Sequence, residues 1–148
     1  MDLALSFVGA LFLLICVNLV WRTVGSRRRS RAAALPEGEV ALRQQSGVGG
    51  RIFADRSLPG GLKAGTINRV QATLVLSDQR LLVCTRHGRV LELTPEHPGE
   101  ARCVGPKRVV LEGAHPSGRA RLRVELVLDA GEAWVEQVRA TLQTATAG

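Results

Sequence analysis

The chain opens with a long apolar run and continues as short alternations of apolar and polar residues. Leu3 to Trp21 form a stretch of 19 residues without a charged side chain. As a helix this stretch would measure about 28 Å, close to the hydrocarbon thickness of a bilayer. It lacks an amphipathic stripe, and Trp21 ends it with a ring that suits a membrane interface. The pattern therefore predicts a transmembrane helix over residues 3–21.

A basic segment follows this run. Its five arginines lie within ten residues and are Arg22, Arg27, Arg28, Arg29 and Arg31. Positive residues beside a membrane helix favour the cytoplasmic side, and none precedes the run. This predicts the inner cell membrane, with the N-terminus outside and the rest of the chain in the cytoplasm. The missing positive n-region argues against a cleaved signal peptide. The arginines are expected to set this topology first and to contact anionic lipid second.

Residues 22–38 hold Gly, Ser, Arg, Ala and one Pro, which is typical of a flexible juxtamembrane linker. As an alternative, the three alanines at 32–34 would prolong the first helix. Behind the linker we predict a domain over residues 39–146.

From residue 39 the pattern changes to short strands separated by turn signals. We predict seven strands, near 39–45, 50–54, 68–76, 80–85, 89–94, 107–112 and 119–128. In the last of these Ala120, Leu122, Val124, Leu126 and Leu128 face one side and Arg119, Arg121, Arg123, Glu125 and Val127 the other. A helix begins after Asp129, which is placed to cap it. Its apolar face comprises Trp134, Val135, Val138 and Leu142, and Trp134 is expected in the core.

The stretch TLVLSDQRLLVCTRHGRVLEL, Thr73 to Leu93, resembles the pleckstrin-homology-like (PH-like) and GRAM-like domains of bacterial membrane proteins. The residues that match most directly are Leu76, Ser77, Arg80 and Leu81, at the turn between two strands. The resemblance implies a mainly β fold, a seven-stranded antiparallel barrel or sandwich capped by a C-terminal helix. It also implies a binding module for lipid headgroups or proteins. Phosphoinositide binders carry a basic loop after their first strand, whereas SGVGGR, Ser46 to Arg51, holds one arginine, with Arg43 before it.

Composition bears on the distribution of charge, the source of the sequence and the state of the cysteines. The net charge is +7, but from Leu35 onward 15 basic residues face 12 acidic ones, so the excess belongs mostly to the basic segment. Arginine outnumbers lysine 18 to 2, which suggests a GC-rich, bacterial source. The three cysteines lack metal-ligand spacing and are expected as core thiols, with a Cys84–Cys103 bridge as the alternative in an oxidising compartment.

No motif points to catalysis. Gly47 to Gly50 precede a strand rather than a helix, so we predict a hairpin turn and not a phosphate loop. The three histidines, His87, His97 and His115, have no partners at ligand spacing. We predict no metal, no cofactor and no enzymatic activity.

One surface is a candidate binding face. Alternation places Arg119, Arg121 and Arg123 on the outer side of the last strand, and Arg108 on the outer side of the strand before it. These arginines form a contact surface for anionic lipid or an acidic partner, or an ordinary solvated face paired with Glu112 and Glu125.

The sequence thus predicts a membrane-anchored, cytoplasmic binding or scaffolding module. Its expected partners are the lipid bilayer and another membrane protein, with anionic lipid assisting. The alternative is direct recognition of anionic headgroups by the domain. Nonspecific nucleic-acid binding is a third and weaker alternative, because the domain is nearly charge-balanced and poor in aromatic side chains.

Overall fold

The structure is a computed structural model that describes residues 2–144, without the side chains of residues 2–7, 25–26, 28–30 and 144. A long helix, α1 (Asp2–Ala32), precedes the strands. These are β1 (Ala41–Ala54), β2 (Asn68–Ser77), β3 (Leu81–Thr85), β4 (Gly88–Leu93), β5 (Glu100–Cys103), β6 (Arg108–Ala114) and β7 (Arg121–Val127), followed by α2 (Gly131–Thr144). The end of the predicted domain, residues 145–146, lies outside the described residues.

The seven strands form one antiparallel sheet in the order β4-β3-β2-β1-β7-β6-β5. Every neighbouring pair is antiparallel, and β1 joins the first half of the sheet to the second by pairing with both β2 and β7. The sheet curls into a half-barrel that α2 caps, which confirms the mainly β class and is compatible with a PH-like fold.

The core lies between the inner face of the sheet and α2. Along β7 the residues predicted to face inward, Ala120 to Leu128 at alternate positions, are all buried. In α2 the predicted apolar face is buried as well, and the Trp134 ring is 1% exposed. Trp134 donates a hydrogen bond from Nε1 to Gln45 Oε1 (3.0 Å), and the Arg43 guanidinium lies 4.6 Å from its ring centre. The prediction that Trp134 belongs to the core is confirmed.

The first two predicted strands are one. Residues 39–45 and 50–54 were expected to flank a hairpin turn, but β1 runs unbroken from Ala41 to Ala54. The glycine tract lies inside it, at an irregularity of register between Gln45 and Val48 where Gly47 has a φ of 72°. A positive φ suits glycine, and an extra residue in one strand lets the strand bend. The hairpin prediction at SGVGGR is therefore wrong.

The remaining strands agree with the prediction except for β5, which the pattern did not indicate. β5 is four residues long and pairs only with β6. Residues 55–67 form the connection between β1 and β2, in which Leu58 and Leu62 pair as an isolated bridge and are buried in the core. The connection after β1 is thus formed by residues 55–67 and not by SGVGGR. The segment that corresponds to the phosphoinositide-binding loop is therefore residues 55–67.

The start of α2 differs slightly from the prediction. The helix begins at Gly131, and the Trp134 amide donates to the Ala130 carbonyl (3.1 Å). Asp129 therefore lies one residue before the capping position, and within residues 2–144 its side chain makes no hydrogen bond.

The structure corrects the prediction that residues 3–21 form a transmembrane helix. The helix forms, but among the described residues no helix is long and apolar enough to cross a bilayer. The described apolar side chains of α1 run from Val8 to Trp21, about 21 Å along a helix, against a hydrocarbon core of about 30 Å. The side chains of residues 3–7, the first part of the predicted span, lie outside the description.

The basic segment belongs to the same helix. α1 continues through residues 22–32, which were predicted as a flexible linker, and ends at Ala32. The alternative that the alanines prolong the first helix is confirmed for Ala32.

Candidate functional site

The outer face of the sheet carries the predicted basic residues. Arg121 and Arg123 alternate with buried residues along β7 and point outward, as predicted. Arg108 is exposed at the start of β6, while its neighbours Val109 and Leu111 are buried in the core. Arg119 precedes β7, in the turn after β6, and is exposed as well. The predicted orientation is confirmed for Arg108, Arg121 and Arg123, whereas Arg119 is exposed but lies outside the strand. The role of all four stays a prediction.

Part of this face is paired internally. Arg123 contacts the carboxylates of Glu125 (Nη2 to Oε1, 2.9 Å) and Glu112 (Nε to Oε1, 3.8 Å). Arg102 on β5 contacts the same Glu112 oxygen at 3.0 Å and Glu100 at 3.6 Å. Two arginines and three glutamates thus form a network across β5, β6 and β7. Arg123 therefore matches the alternative of a solvated face in which the arginine is paired with Glu112 and Glu125.

The other three predicted arginines differ from Arg123. Within residues 2–144, the side chains of Arg108, Arg119 and Arg121 form no ion pair. Arg108 lies opposite Val127 in the register of β6 and β7. It therefore belongs to a different part of the face from Arg119 and Arg121, which lie towards the opposite end of β7.

Two arginines that were not part of the predicted basic face lie near Arg108. Arg51 on β1 is the register partner of Arg69 on β2, and both are exposed. Together with Arg108 they surround an open groove of about 360 Å³. Its floor includes Gly49 and Val127. We call this the outer groove. Arg51 and Arg69 are 18 positions apart in the chain, and only the pairing of β1 with β2 brings them together.

The five arginines of the basic segment lie on the last part of α1. Arg22, Arg27 and Arg31 are exposed, and the side chains of Arg28 and Arg29 lie outside the description. Their predicted roles in topology and lipid contact are not tested by this geometry.

The end of α1 is attached to the sheet. Ala32, Ala33 and Leu35 pack on a small apolar patch of the outer face formed by Val75, Leu82 and Cys84. The Arg89 guanidinium on β4 donates to the carbonyls of Ala32 (Nε, 3.3 Å) and Ala34 (Nη2, 3.2 Å). Apolar packing and charged hydrogen bonds thus fix the helix end against β3 and β4.

This attachment buries one thiol. Cys84 is fully buried beneath the end of α1. Burial raises the pKa of Cys84 to about 11, although the nearby Arg89 opposes the shift. All three cysteines are unbonded: Cys84 lies under α1, while Cys103 packs against the main core. The Cys84–Cys103 bridge is therefore not formed.

An ion-pair network reinforces the junction just after the helix. Arg80 contacts Glu39 (2.6 Å) and Glu92 (2.5 Å), and Glu39, whose side chain is 5% exposed, also accepts a hydrogen bond from Ser77 Oγ (2.9 Å). Although burial alone lowers the pKa of Arg80, the hydrogen bond to Glu92 and the two negative charges outweigh it and raise the pKa. Ser77 and Arg80, two residues that carried the resemblance, thus have a structural role here.

The histidines make local contacts. His87 Nδ1 hydrogen-bonds with the Gly60 carbonyl and holds the connection after β1. His115 Nδ1 accepts from the Ser117 amide at 3.1 Å, and burial lowers the pKa of His115. Among the residues described, no group of three or more His, Cys, Asp or Glu side chains is arranged to hold a metal ion.

An open cleft of about 680 Å³ lies between the connection after β4 and the turn after β6. Its lining includes Arg80 and Glu92, which are already ion-paired to each other, and His97 and His115. Among the described residues that line the cleft, no nucleophile is paired with a base. The absence of enzymatic activity remains a prediction.

Comparison with known protein families finds no family that matches this chain, and comparison with curated proteins finds no match. The fold, the exposed apolar surface of α1 and the geometry of the outer face are therefore the basis for any statement about function.

Proposed function

We propose that the protein is a membrane-held binding module, in which the apolar part of α1 is seated in lipid and the β domain binds a membrane-protein partner. One observation carries this proposal. From Val8 to Val24 the large apolar side chains of α1 are exposed on every side of the helix, with Trp21 77% exposed. Burying a large apolar side chain is worth about 1.5–3 kcal/mol, so eleven of them represent tens of kcal/mol in favour of an apolar environment.

Lipid fits this helix better than a protein groove does. A helix that packs on one partner needs only one apolar stripe, whereas a helix that is apolar all round is suited to burial on all sides. The described apolar side chains of α1 extend over about 21 Å, which is short of a bilayer crossing, so the proposal is attachment to lipid and not a crossing. The basic segment begins directly after these side chains, where arginines meet anionic headgroups.

The orientation belongs to the same proposal. The arginines all follow the apolar run and would meet the anionic inner leaflet, which favours the β domain on the cytoplasmic side of the cell membrane. A reporter fused to the C-terminus tests this placement. Activity that is restricted to the non-cytoplasmic side would contradict it.

Membrane attachment is tested with the full chain. Membranes are washed with alkaline carbonate, which releases peripheral proteins, and the protein is assayed in the pellet. We expect it to stay in the pellet, and the variant Leu14→Glu/Val17→Glu to move to the supernatant. The matched control Arg119→Glu/Arg121→Glu, which changes two exposed residues of the β domain, should stay in the pellet. Release of the unaltered chain would refute the proposal.

The partner is tested by gentle solubilisation and affinity capture of the full chain. We expect a membrane protein to co-purify, and to be lost when the outer face is altered by charge reversal. A capture that yields no membrane protein from native membranes, under conditions that retain known complexes of the same membrane, would refute the partner part of the proposal.

Direct recognition of anionic headgroups is the second candidate, and the three arginines around the outer groove favour it. A fragment that starts at residue 36 is a poor test, because it would uncover Val75, Leu82 and Cys84. The full chain in zwitterionic detergent, titrated with soluble glycerophosphoglycerol, avoids this problem. Saturable binding that is lost on reversing the charge of Arg69 would favour this candidate over the protein partner.

A further inference from the structure

The outer groove crosses four strands of the sheet. Arg108 on β6 stands at one end, and Arg69 on β2 stands at the other. Between them lie Val127 on β7 and Gly49 on β1. Neighbouring strands are about 4.8 Å apart, and Arg69 lies two residues along β2 from Gln71, the residue in line with Gly49. Three spacings and this offset separate the two end arginines by about 16 Å at the backbone. The groove is therefore a long shallow trough and not a closed pocket.

The floor of the trough is open to a ligand. A Cβ atom on Gly49 would meet nothing within 4 Å, so the space above this residue is empty. Val127 beside it is 57% exposed, an apolar side chain among charged ones. A ligand that lies across the trough can thus approach the sheet closely at Gly49 and bury the Val127 side chain.

The charge of the trough is unbalanced. Arg51 lies directly opposite Arg69 in the register of β1 and β2, and like charges in this position destabilise a sheet. Glu125 also lines the groove and is the register partner of Arg51 on the other side, but it is ion-paired with Arg123 at 2.9 Å, so three arginines face one carboxylate that is already neutralised. Within residues 2–144, the side chains of Arg51, Arg69 and Arg108 form no ion pair. An anionic ligand would relieve the repulsion between Arg51 and Arg69.

The spacing of the positive charges fits an extended peptide. In an extended chain the residues i, i+2 and i+4 face the same side, and i and i+4 are about 13 Å apart. Acidic side chains at i and i+4 would reach Arg108 at one end and the Arg51–Arg69 pair at the other. The side chain at i+2 would lie over Val127 and Gly49, where an apolar group is favoured.

We propose that the outer groove binds an extended acidic segment of the partner protein, with the pattern acidic–x–apolar–x–acidic. This inference rests on the proposed function, because it names the part of the domain that the partner contacts and the chemistry of the segment that is bound. A single headgroup matches this site less well, since it cannot place two anionic groups about 13 Å apart with an apolar group between them.

The test measures binding of fluorescent peptides to the full chain in zwitterionic detergent by fluorescence anisotropy. The probe is Ser-Glu-Ser-Leu-Ser-Glu-Ser. One comparison peptide has Gln in place of both Glu residues, and another has the same composition with the two Glu residues adjacent. We expect the probe to bind at least about tenfold more tightly than either, and to weaken as the ionic strength rises from about 0.05 to about 0.5 M. Equal binding of the three peptides would overturn the proposal.

Two charge-matched variants locate the site. Arg69→Glu/Arg108→Glu reverses both ends of the groove and should weaken probe binding at least about tenfold. Arg119→Glu/Arg121→Glu changes the net charge equally, on the same face but outside the groove, and should change it by less than about twofold. Circular dichroism checks that both fold. If the reversed variant does not fold, the neutral variant Arg69→Gln/Arg108→Gln replaces it, with an expected loss of about threefold or more. Equal weakening by the groove and control variants would overturn the location.

Two measurements separate the other outcomes: displacement of the probe by glycerophosphoglycerol tests for a headgroup in the groove, and the carbonate wash tests membrane attachment. If glycerophosphoglycerol displaces the probe and itself binds more tightly through Arg69 and Arg108, the occupant is a headgroup and the peptide proposal is overturned. If the unaltered chain is released by carbonate but binds the probe through the groove, membrane attachment is refuted and the groove inference stands. If the chain stays in the membrane and binds no probe, the groove inference alone is refuted.

Discussion

The attachment of α1 to the sheet depends on Arg89, and replacing Arg89 with alanine should loosen it. Arg89 donates hydrogen bonds to the Ala32 and Ala34 carbonyls at 3.3 and 3.2 Å, and its side chain is 30% exposed. A hydrogen bond from a charged donor is worth about 1.5–3 kcal/mol, which partial exposure reduces to about 0.5–1 kcal/mol each. The two bonds together contribute about 1–2 kcal/mol, so their loss should raise the opening constant of this contact about 5–30-fold.

Cys84 provides the assay because it is buried beneath the end of α1. In a Cys16→Ser/Cys103→Ser background, the rate at which a maleimide modifies Cys84 reports how often this contact opens. We expect Arg89→Ala to label about 5–30-fold faster than the background protein. The control Arg119→Ala, at an exposed arginine far from α1 in the sheet order, should label within about twofold of it.

The pH dependence reports the burial of the thiol. Burial raises the pKa of Cys84 to about 11 from an ordinary value of 9.0. Because ionisation of the exposed thiol above about pH 9 also favours opening, the labelling rate should keep rising with pH until about pH 11. A rate for Arg89→Ala equal to that of the background would refute the attachment, and a profile that levels off near pH 9 would contradict the burial of the thiol.

Three further predictions concern stability, measured as the free energy of unfolding in urea. Gly50→Ala should lower the free energy of unfolding by about 2–3 kcal/mol, because the new Cβ would lie 2.6 Å from both the Glu125 carbonyl oxygen and a Leu126 methyl. The control Gly49→Ala, where the new Cβ meets nothing within 4 Å, should change it by less than about 0.5 kcal/mol. Equal costs would contradict the register of β1. Trp134→Phe should lower the free energy of unfolding by about 2 kcal/mol, because the hydrogen bond to Gln45 is lost and the ring is smaller. Adding Gln45→Leu should recover part of this stability, because no unpaired amide is then left buried. A further loss of stability in the double variant would argue against the hydrogen bond. Because folding raises the pKa of Cys84, the folded state retains the proton longer, so stability should fall between about pH 9 and about pH 11. Cys84→Ala should remove this fall, and an unchanged profile would contradict the burial of the thiol.

The parts of the fold that depend on local periodicity could be predicted from the sequence. The inward residues of β7 and the apolar face of α2 follow periods of 2.0 and 3.6, and each was identified because one side of the element is buried. The turns between β2 and β3 and between β3 and β4 were found because short polar segments separate apolar strands.

The glycine tract in β1 shows where local signals are ambiguous. Glycine is favoured in hairpin turns and also in strand irregularities or where two backbones come close. Gly50 faces inward against Glu125 and Leu126 of β7, and its register partner Leu126 is 76 positions away in the chain. Only that long-range pairing shows that the tract lies within a strand. β5 was missed for a related reason, since four residues are too few to show alternation and its stability comes from pairing with β6.

The orientation of the arginines in the candidate site could be predicted from the sequence, but their partners could not. Alternation placed Arg108, Arg119, Arg121 and Arg123 on the outer face, but it could not show which carboxylates each would meet. Register decides this: Arg123 lies opposite Glu112, whereas Arg108 lies opposite Val127. The same register brings Arg51 to Arg69. The predicted stripe along one strand therefore separates into an ion-paired network and a groove that crosses four strands.

The continuous helix changes how the β domain would be presented at a membrane. A flexible linker over residues 22–38 would reach at most about 55 Å and would typically span about 20–25 Å, with the domain free to turn. In the structure, the helical rise from Trp21 to Ala32 is about 16 Å, and the helix end is fixed to β3 and β4. If the apolar run lies in lipid, the distance of the β domain from the membrane and its orientation are both restricted before a partner binds. Since ordering within the protein is complete before binding, less conformational entropy is lost when a partner docks. In the proposed complex, a weak groove of three arginines is effective when its partner lies in the same membrane, because both are held at high local concentration in a fixed geometry. Binding at the outer groove would then also depend on Arg89 and on the packing of Leu35, which lie outside the groove.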